Sequence, residues 1–211
     1  PLGDRADQRR RYVDIELTEP IDSETVVRRM NAMTAEGIEI LSFRQISEEK
    51  KATGMAIVAA ADYLVSVRKG TMPDHWKEQF TEFLSQKEIR IVKQTKRSEQ
   101  EVDIRPWIYQ AEIRGEQIYL HLAAGSVQNL KPDLVMETFL KYANISDDVR
   151  FFYHRLEMYA DESGNGERKL ILLENLGEEI CMNQRQTCSK SVMTWEGFWF
   201  ETKNTNRKKQ K

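Results

Sequence analysis

A chain of 211 residues with 40% hydrophobic and 31% charged content is long enough for one sizeable domain or two small ones sharing a core. Its 32 basic side chains against 34 acidic ones give no overall field that points to nucleic acid, so any polyanion site must be local. No run reaches the roughly 18 apolar residues that span a bilayer, and no apolar signal core opens the chain; the expectation is a soluble cytoplasmic protein with no membrane partner.

Residues 12–18 alternate, with Val13, Ile15 and Leu17 opposite Asp14 and Glu16, which predicts a half-buried strand. Asp22 or Ser23 then caps a helix carrying Val26, Val27, Met30 and Met33 on one face, and Gly37 closes it. A second strand is expected over 38–46, where the apolar parity shifts between Ile40 and Leu41, the mark of a bulge or of burial on both faces. After a charged loop, 56–68 predicts a third strand. Trp76, Phe80, Phe83 and Leu84 then make the stripe of a second amphipathic helix, because residues three and four apart share a helix face. Ile89 and Ile91 mark a fourth strand. The order β-α-β-β-α-β predicts a ferredoxin-like split β-α-β unit, an arrangement that hosts many functions.

Val102 and Ile104 face away from Asp103 and Arg105 on the next strand, which Pro106 ends or confines to an edge. Tyr109, Ala111 and Ile113 pair across Arg114-Gly115-Glu116 with Ile118, Leu120 and Leu122, a hairpin signal. A polar loop over 125–130 leads to a helix with Pro132 in its first position and Asp133 in its first turn. A long aromatic strand over 149–159 turns at 161–168 and pairs back through 170–173. The predicted class is therefore α+β: the split β-α-β unit followed by a second antiparallel α/β lobe. Residues 1–175 are expected as one domain with lobes 1–98 and 99–175. Periodicity fades over 176–211, where an irregular aromatic segment and a disordered basic tail are expected.

Several constellations carry chemistry. Asp103 and Arg105 form either a structural ion pair or a charged set offered to a phosphate or base. Ser126, Asn129 and Lys131 precede a helix start, where free amides favour anions, although an ordinary strand-to-helix connection reads the same. Arg155, with Arg150, Tyr153, Phe151 and Phe152, makes either a basic aromatic surface that stacks bases or a sheet core. Trp195, Phe198, Trp199 and Phe200 form a second aromatic set, read as a packing patch. His75, His121 and His154 show no metal spacing, and Cys181 and Cys188 match no structural zinc spacing. Neither a bound metal nor a catalytic set is expected.

The text Val102-Asp-Ile-Arg-Pro106 and Ala124-Gly-Ser-Val-Gln-Asn-Leu-Lys-Pro-Asp133, together with Tyr12-Val-Asp-Ile-Glu-Leu-Thr-Glu-Pro-Ile21, Met30-Asn31, Gly37-Ile-Glu-Ile-Leu41 and Ala60-Ala-Asp-Tyr63, resembles a bacterial radical-SAM-associated domain of unknown function. Members are fused behind, or encoded beside, a cobalamin-binding radical-SAM protein. The resemblance runs over about residues 1–173 and implies an accessory or substrate-recognition module without catalytic activity of its own. It also implies a radical-SAM protein as partner and, with the basic ends, an RNA substrate. The cluster motif Cys-x3-Cys-x2-Cys is missing, so the iron–sulfur cluster, S-adenosylmethionine and cobalamin are expected only in the partner. The family's usual opening segment is also missing, which implies a chain truncated at its N-terminus. An independent RNA-binding module, or a small hydrolase or transferase using Asp103, Arg105 and His121, stands as the alternative.

Overall fold

The computed structural model describes residues 7–8, 10–15, 17–36, 38–46, 57–94, 99–125, 128–146, 148–163, 168–181 and 198–204. Three helices and eleven strands are found among them, an α+β composition. The chain divides into two compact units interleaved in sequence: unit 1 holds residues 1–7 and 59–157, and unit 2 holds 8–58 and 158–211. The boundary expected between residues 98 and 99 falls inside unit 1.

In unit 1 the strands β1 (Asp7–Gln8), β4 (Val58–Lys69), β7 (Ile108–Arg114), β8 (Gln117–Ala123) and β9 (Arg150–Asp161) form a sheet in the order β1-β9-β4-β8-β7. Strands β4 and β7 both run antiparallel to β8. Helices α2 (Trp76–Ser85) and α3 (Pro132–Tyr142) cover one face. The stripe Trp76, Phe80 and Phe83 is buried with Val135, Met136, Phe139 and Leu140 of α3 against Val65, Ile118, Leu120 and Leu122 of the sheet. Strands β5 (Arg90–Gln94) and β6 (Glu99–Asp103) make a separate antiparallel ribbon. As expected, the strand ends before Pro106, which lies in a single 3-10 turn, Arg105–Trp107. The two-residue hairpin loop between β7 and β8 has Gly115 at φ 64°, a conformation that a residue without Cβ adopts at no steric cost.

In unit 2, β2 (Arg10–Ile15), β3 (Ile38–Gln45) and β11 (Phe198–Asn204) form a sheet in the order β2-β11-β3. Helix α1 (Ser23–Asn31) starts at Asp22, whose carboxylate accepts from the Thr25 amide at 2.8 Å. Val26, Ile40 and Phe43 form the core, flanked by Ile15, Leu17, Ile21 and Met30. Asn31 completes the helix-to-strand joint. Its side-chain amide donates to the Ile40 carbonyl at 2.9 Å, and its oxygen accepts from the Ile40 amide at 2.7 Å, so both polar groups of the side chain are bonded to one residue of β3. The last residues of β9 pair with β10 (Leu170–Leu172), Asp161 opposite Leu170, as the sequence predicts.

Two expectations are corrected. The strands of the expected β-α-β-β-α-β unit do not share one sheet: β2 and β3 flank β11, β4 joins the sheet of unit 1, and β5 pairs with β6. Element order carries no information about hydrogen-bond partners far along the chain, and β11 arrives from almost the far end. The segment expected to be irregular contains β11, which runs antiparallel to both β2 and β3. The parity shift in β3 does mark an irregularity: the register slips so that Glu201 lies opposite Ser42 and Thr202 opposite Ile40, leaving Leu41 as the extra residue. No helix among the described residues is long and apolar enough to cross a membrane.

Candidate functional site

Strand alternation sorts the residues of unit 1 into two faces. Tyr63 and Val65 of β4, Leu120 and Leu122 of β8, and Ala111 and Ile113 of β7 pack beneath the helices. Their alternates, Asp62 and Leu64, Tyr119 and His121, and Gln110, Glu112 and Arg114, therefore occupy the opposite face. Register brings Asp62 directly across from His121, with Gln110 on the far side of the histidine. A polar row crosses three strands.

At its centre His121 Nδ1 bonds the Asp62 carboxylate. Asp62 is 6% exposed and the His121 side chain 14%. The Tyr119 hydroxyl neighbours the same carboxylate, and burial, then the Asp62 charge, push it well above its ordinary value of 10.0. Because the Asp62 carboxylate is an acceptor, it selects the imidazole tautomer with the proton on Nδ1 and leaves Nε2 as an acceptor in the neutral ring. Tyr109, displaced by an irregularity in β7 between Ile108 and Gln110, sets its ring 5.5 Å from that of His121. On the other flank the Arg114 guanidinium lies 3.8 Å from the Tyr119 ring centre and is held there by Glu112, at 2.9 and 3.1 Å. Glu112 also takes a bond from Gln110. The row thus combines aromatic rings, one stacked cation and a histidine of defined tautomer.

Of the residues singled out from the sequence, Asp103 and Arg105 contact backbone. Asp103 Oδ1 accepts from the amides of Ile89 at 2.8 Å and Arg105 at 3.0 Å, and these two bonds, that of Arg105 foremost, hold its carboxyl below the ordinary range. Arg105 donates to the carbonyls of Leu84 at 3.0 Å and Ile108 at 3.2 Å, tying the last turn of α2 to the start of β7. The two side chains brace backbone. Replacing Arg105 with Ala should cost about 2 kcal/mol, since both charge-assisted bonds are lost together, and Arg105→Lys should recover only part because a single ammonium cannot span both carbonyls. Urea denaturation of the three proteins measures this; equal midpoints would refute the bracing role.

Asn129 and Lys131 are exposed on the approach to α3, where Lys131 occupies the N-cap position without a side-chain cap. The Asn129 backbone makes an isolated bridge with Ala124. Ser126 lies outside the described residues. Arg155 is half-buried and its charge acts on the Tyr63 hydroxyl. Phe151 and Tyr153 belong to the core beneath the helices, while Phe152 alternates with them along β9 and is half-buried. Of the second set, Trp195 lies outside the described residues while Phe198, Trp199 and Phe200 are in β11. His75 stands at the N-cap position of α2. Cys181 is exposed and Cys188 lies outside the described residues. Among the described residues no three acidic, histidine or cysteine side chains are grouped to hold a metal.

Asp62 was not singled out from the sequence, although Ala60-Ala-Asp-Tyr63 is part of the resembling text. A signal was present: an Asp inside an otherwise apolar run of a strand must find a partner when buried, and His121 is one of only 3 histidines.

A family model described as "Uncharacterized protein conserved in bacteria (DUF2344)" matches residues 6–132, which takes in Asp62, Arg114, Tyr119 and His121. No curated protein and no solved structure matches the chain.

Proposed function

For a chain that belongs to this family of uncharacterized proteins conserved in bacteria, we propose the role of an accessory, substrate-recognition module that works in the cytoplasm with a radical-SAM protein on a single-stranded RNA. The observation that carries it is the row of rings and cation on the sheet face away from the helices: Arg114 stacked on Tyr119 at 3.8 Å and Tyr109 against His121 at 5.5 Å. Sheet surfaces with exposed rings and arginines hold single-stranded bases by stacking while the cation meets phosphate. The radical-SAM part rests on the resembling text around 102–106 and 124–133, and the cluster, S-adenosylmethionine and cobalamin belong in that partner.

Fluorescence anisotropy with a labelled single-stranded RNA tests the recognition role. Tyr119→Ala should weaken binding by about tenfold or more, as expected for one lost stacking platform. Arg114→Ala should weaken it and also lower the slope of log affinity against log salt by about one. Lys141→Ala, on helix α3, should leave the stacking contribution unchanged. Absence of salt-dependent binding would end the RNA reading, and failure of any radical-SAM protein to co-purify with the chain anaerobically would end the accessory reading.

The buried Asp62–His121 pair favours one alternative, a hydrolase or transferase in which His121 serves as general base. In that version Asp103, through Oδ1, and Arg105, through Nε and Nη1, hold backbone.

A further inference from the structure

We propose that strand β7 is a dimerisation edge: two copies of the chain pair through it antiparallel about a two-fold axis at Ile113, with Glu112 of each copy opposite Arg114 of the other. β7 ends the sheet order of unit 1, and among the described residues no strand lies on its outer side. The phase of the ladder tells which backbone groups point outward. A two-residue hairpin loop is closed by the first and last residues of a β-turn, which are hydrogen-bonded to each other, here Arg114 and Gln117. Bonded and non-bonded pairs then alternate along an antiparallel ladder. The backbone of Arg114 and Glu112 therefore faces β8, and that of Ile113 and Ala111 faces away from it. No turn or loop bond among the described residues reaches those outward groups. Such a row is a template for one more strand.

Charge selects the occupant and the register. The exposed residues of β7 are Gln110, Glu112 and Arg114, with Arg114 48% and Glu112 43% exposed in their side chains although they pair with each other. Side chains of an inverted second copy keep to the same face only when the axis passes through a residue. An axis at Glu112 or at Arg114 sets two like charges directly opposite, which destabilises a pair of strands. An axis at Ala111 sets Glu112 against Gln110 and gives neither charge a new partner. At Ile113, each Glu112 faces an Arg114, and opposite charges across strands stabilise them. The same axis pairs Ile113 with itself, so its outward amide and carbonyl are both bonded, and the half-buried Ile113 side chains meet and shield each other from water. Charges and bulges commonly blunt an edge. Here the signs alternate, so an inverted copy is attracted, and the irregularity between Ile108 and Gln110 limits the pairing to a few residues. A contact this short buries less than the roughly 1,200 Å² of a stable interface, so the dimer should be weak and reversible. The pairing needs no nucleic acid and stands apart from the recognition role proposed for the face of the sheet.

Sedimentation equilibrium of the full chain, in reducing buffer without nucleic acid, tests the pairing. Wild type should show a reversible monomer–dimer equilibrium. Glu112→Arg and Arg114→Glu each place like charges opposite one another in a homodimer, so either alone should weaken self-association by about tenfold or more. Mixed in equal amounts, the two variants should regain dimers, because every reversed charge then faces its opposite. The mixture also controls for folding, since a chain unfolded by its own substitution is not rescued by the other. A wild type that stays monomeric up to about 1 mM, single variants that dimerise as well as wild type, or a mixture that stays monomeric would each overturn the pairing.

Discussion

Phe139→Ala is expected to cost about 3–5 kcal/mol, the range for removing a large aromatic side chain from a packed core. Phe139 is 0% exposed and sits at the centre of unit 1. Its ring meets Phe80 edge-on at 5.0 Å with an interplanar angle of 85°, and Phe83 at 5.6 Å. Edge-on aromatic contacts add stabilisation beyond the area buried. Both partners lie on α2, so this side chain joins the two helices as well as covering the sheet. Phe139→Leu should cost about 1–2 kcal/mol, because most of the volume is kept and the ring contacts are lost. Equilibrium urea unfolding measures both; a loss below about 1 kcal/mol for the alanine variant would contradict a core centred on this ring.

The second large effect is expected at Asp62. Its replacement by Ala removes the acceptor for the His121 Nδ1 proton, and a part-buried donor that loses its partner should destabilise unit 1 by about 2 kcal/mol. Asp62→Asn should cost less, since the amide oxygen can still accept one bond. The pair also makes a pH prediction. Folding raises the Tyr119 hydroxyl above its ordinary value, chiefly by burial and then by the Asp62 charge, and burial does the same for Tyr63 and Tyr153. Groups raised in the folded state stay protonated where the unfolded chain has released its protons. Their contribution is therefore intact below 10.0, the ordinary tyrosine value, and falls as pH climbs from there. Stability followed against pH should decline through this alkaline range, and Tyr119→Phe should shrink the decline. Ultraviolet titration should show the Asp62→Ala chain, if it folds, ionising a tyrosine at lower pH than wild type does. An unchanged tyrosine titration would argue against the Asp62–Tyr119 contact.

Much of the local structure was legible because it follows from short-range rules. The Trp76, Phe80 and Phe83 spacing matches the buried face of α2, and Asp22 caps α1 through the Thr25 amide. Pro132 opens α3, and the turn at Gly115 joins two strands whose apolar residues point to the same core. The Ile40–Leu41 parity shift located an irregularity that β11 later pairs across. Less of the candidate site was legible. Asp103 and Arg105 stand out in the text, but a carboxylate that holds two amides and a guanidinium that holds two carbonyls look in sequence like a ligand-binding pair. The residues that do gather, Asp62 from β4, Arg114 from β7, and Tyr119 and His121 from β8, are separated by up to 59 positions, and nothing local links 62 to 121.

Apart from β11, the sequence by itself determined most of the helices and strands, their caps and turns and the apolar face of each, because periodicity, capping and backbone freedom act within a few residues. Beyond the β7–β8 hairpin and the β9–β10 return, tertiary structure alone decided which strands are neighbours. It sent β11 between β2 and β3 rather than closing a split β-α-β sheet, and it set β4 beside β8 in the register that places Asp62 opposite His121. Backbone hydrogen bonding is indifferent to side-chain identity, so partner choice among strands is settled by the packing of whole faces, and a polar pair of this kind exists only once that packing is complete.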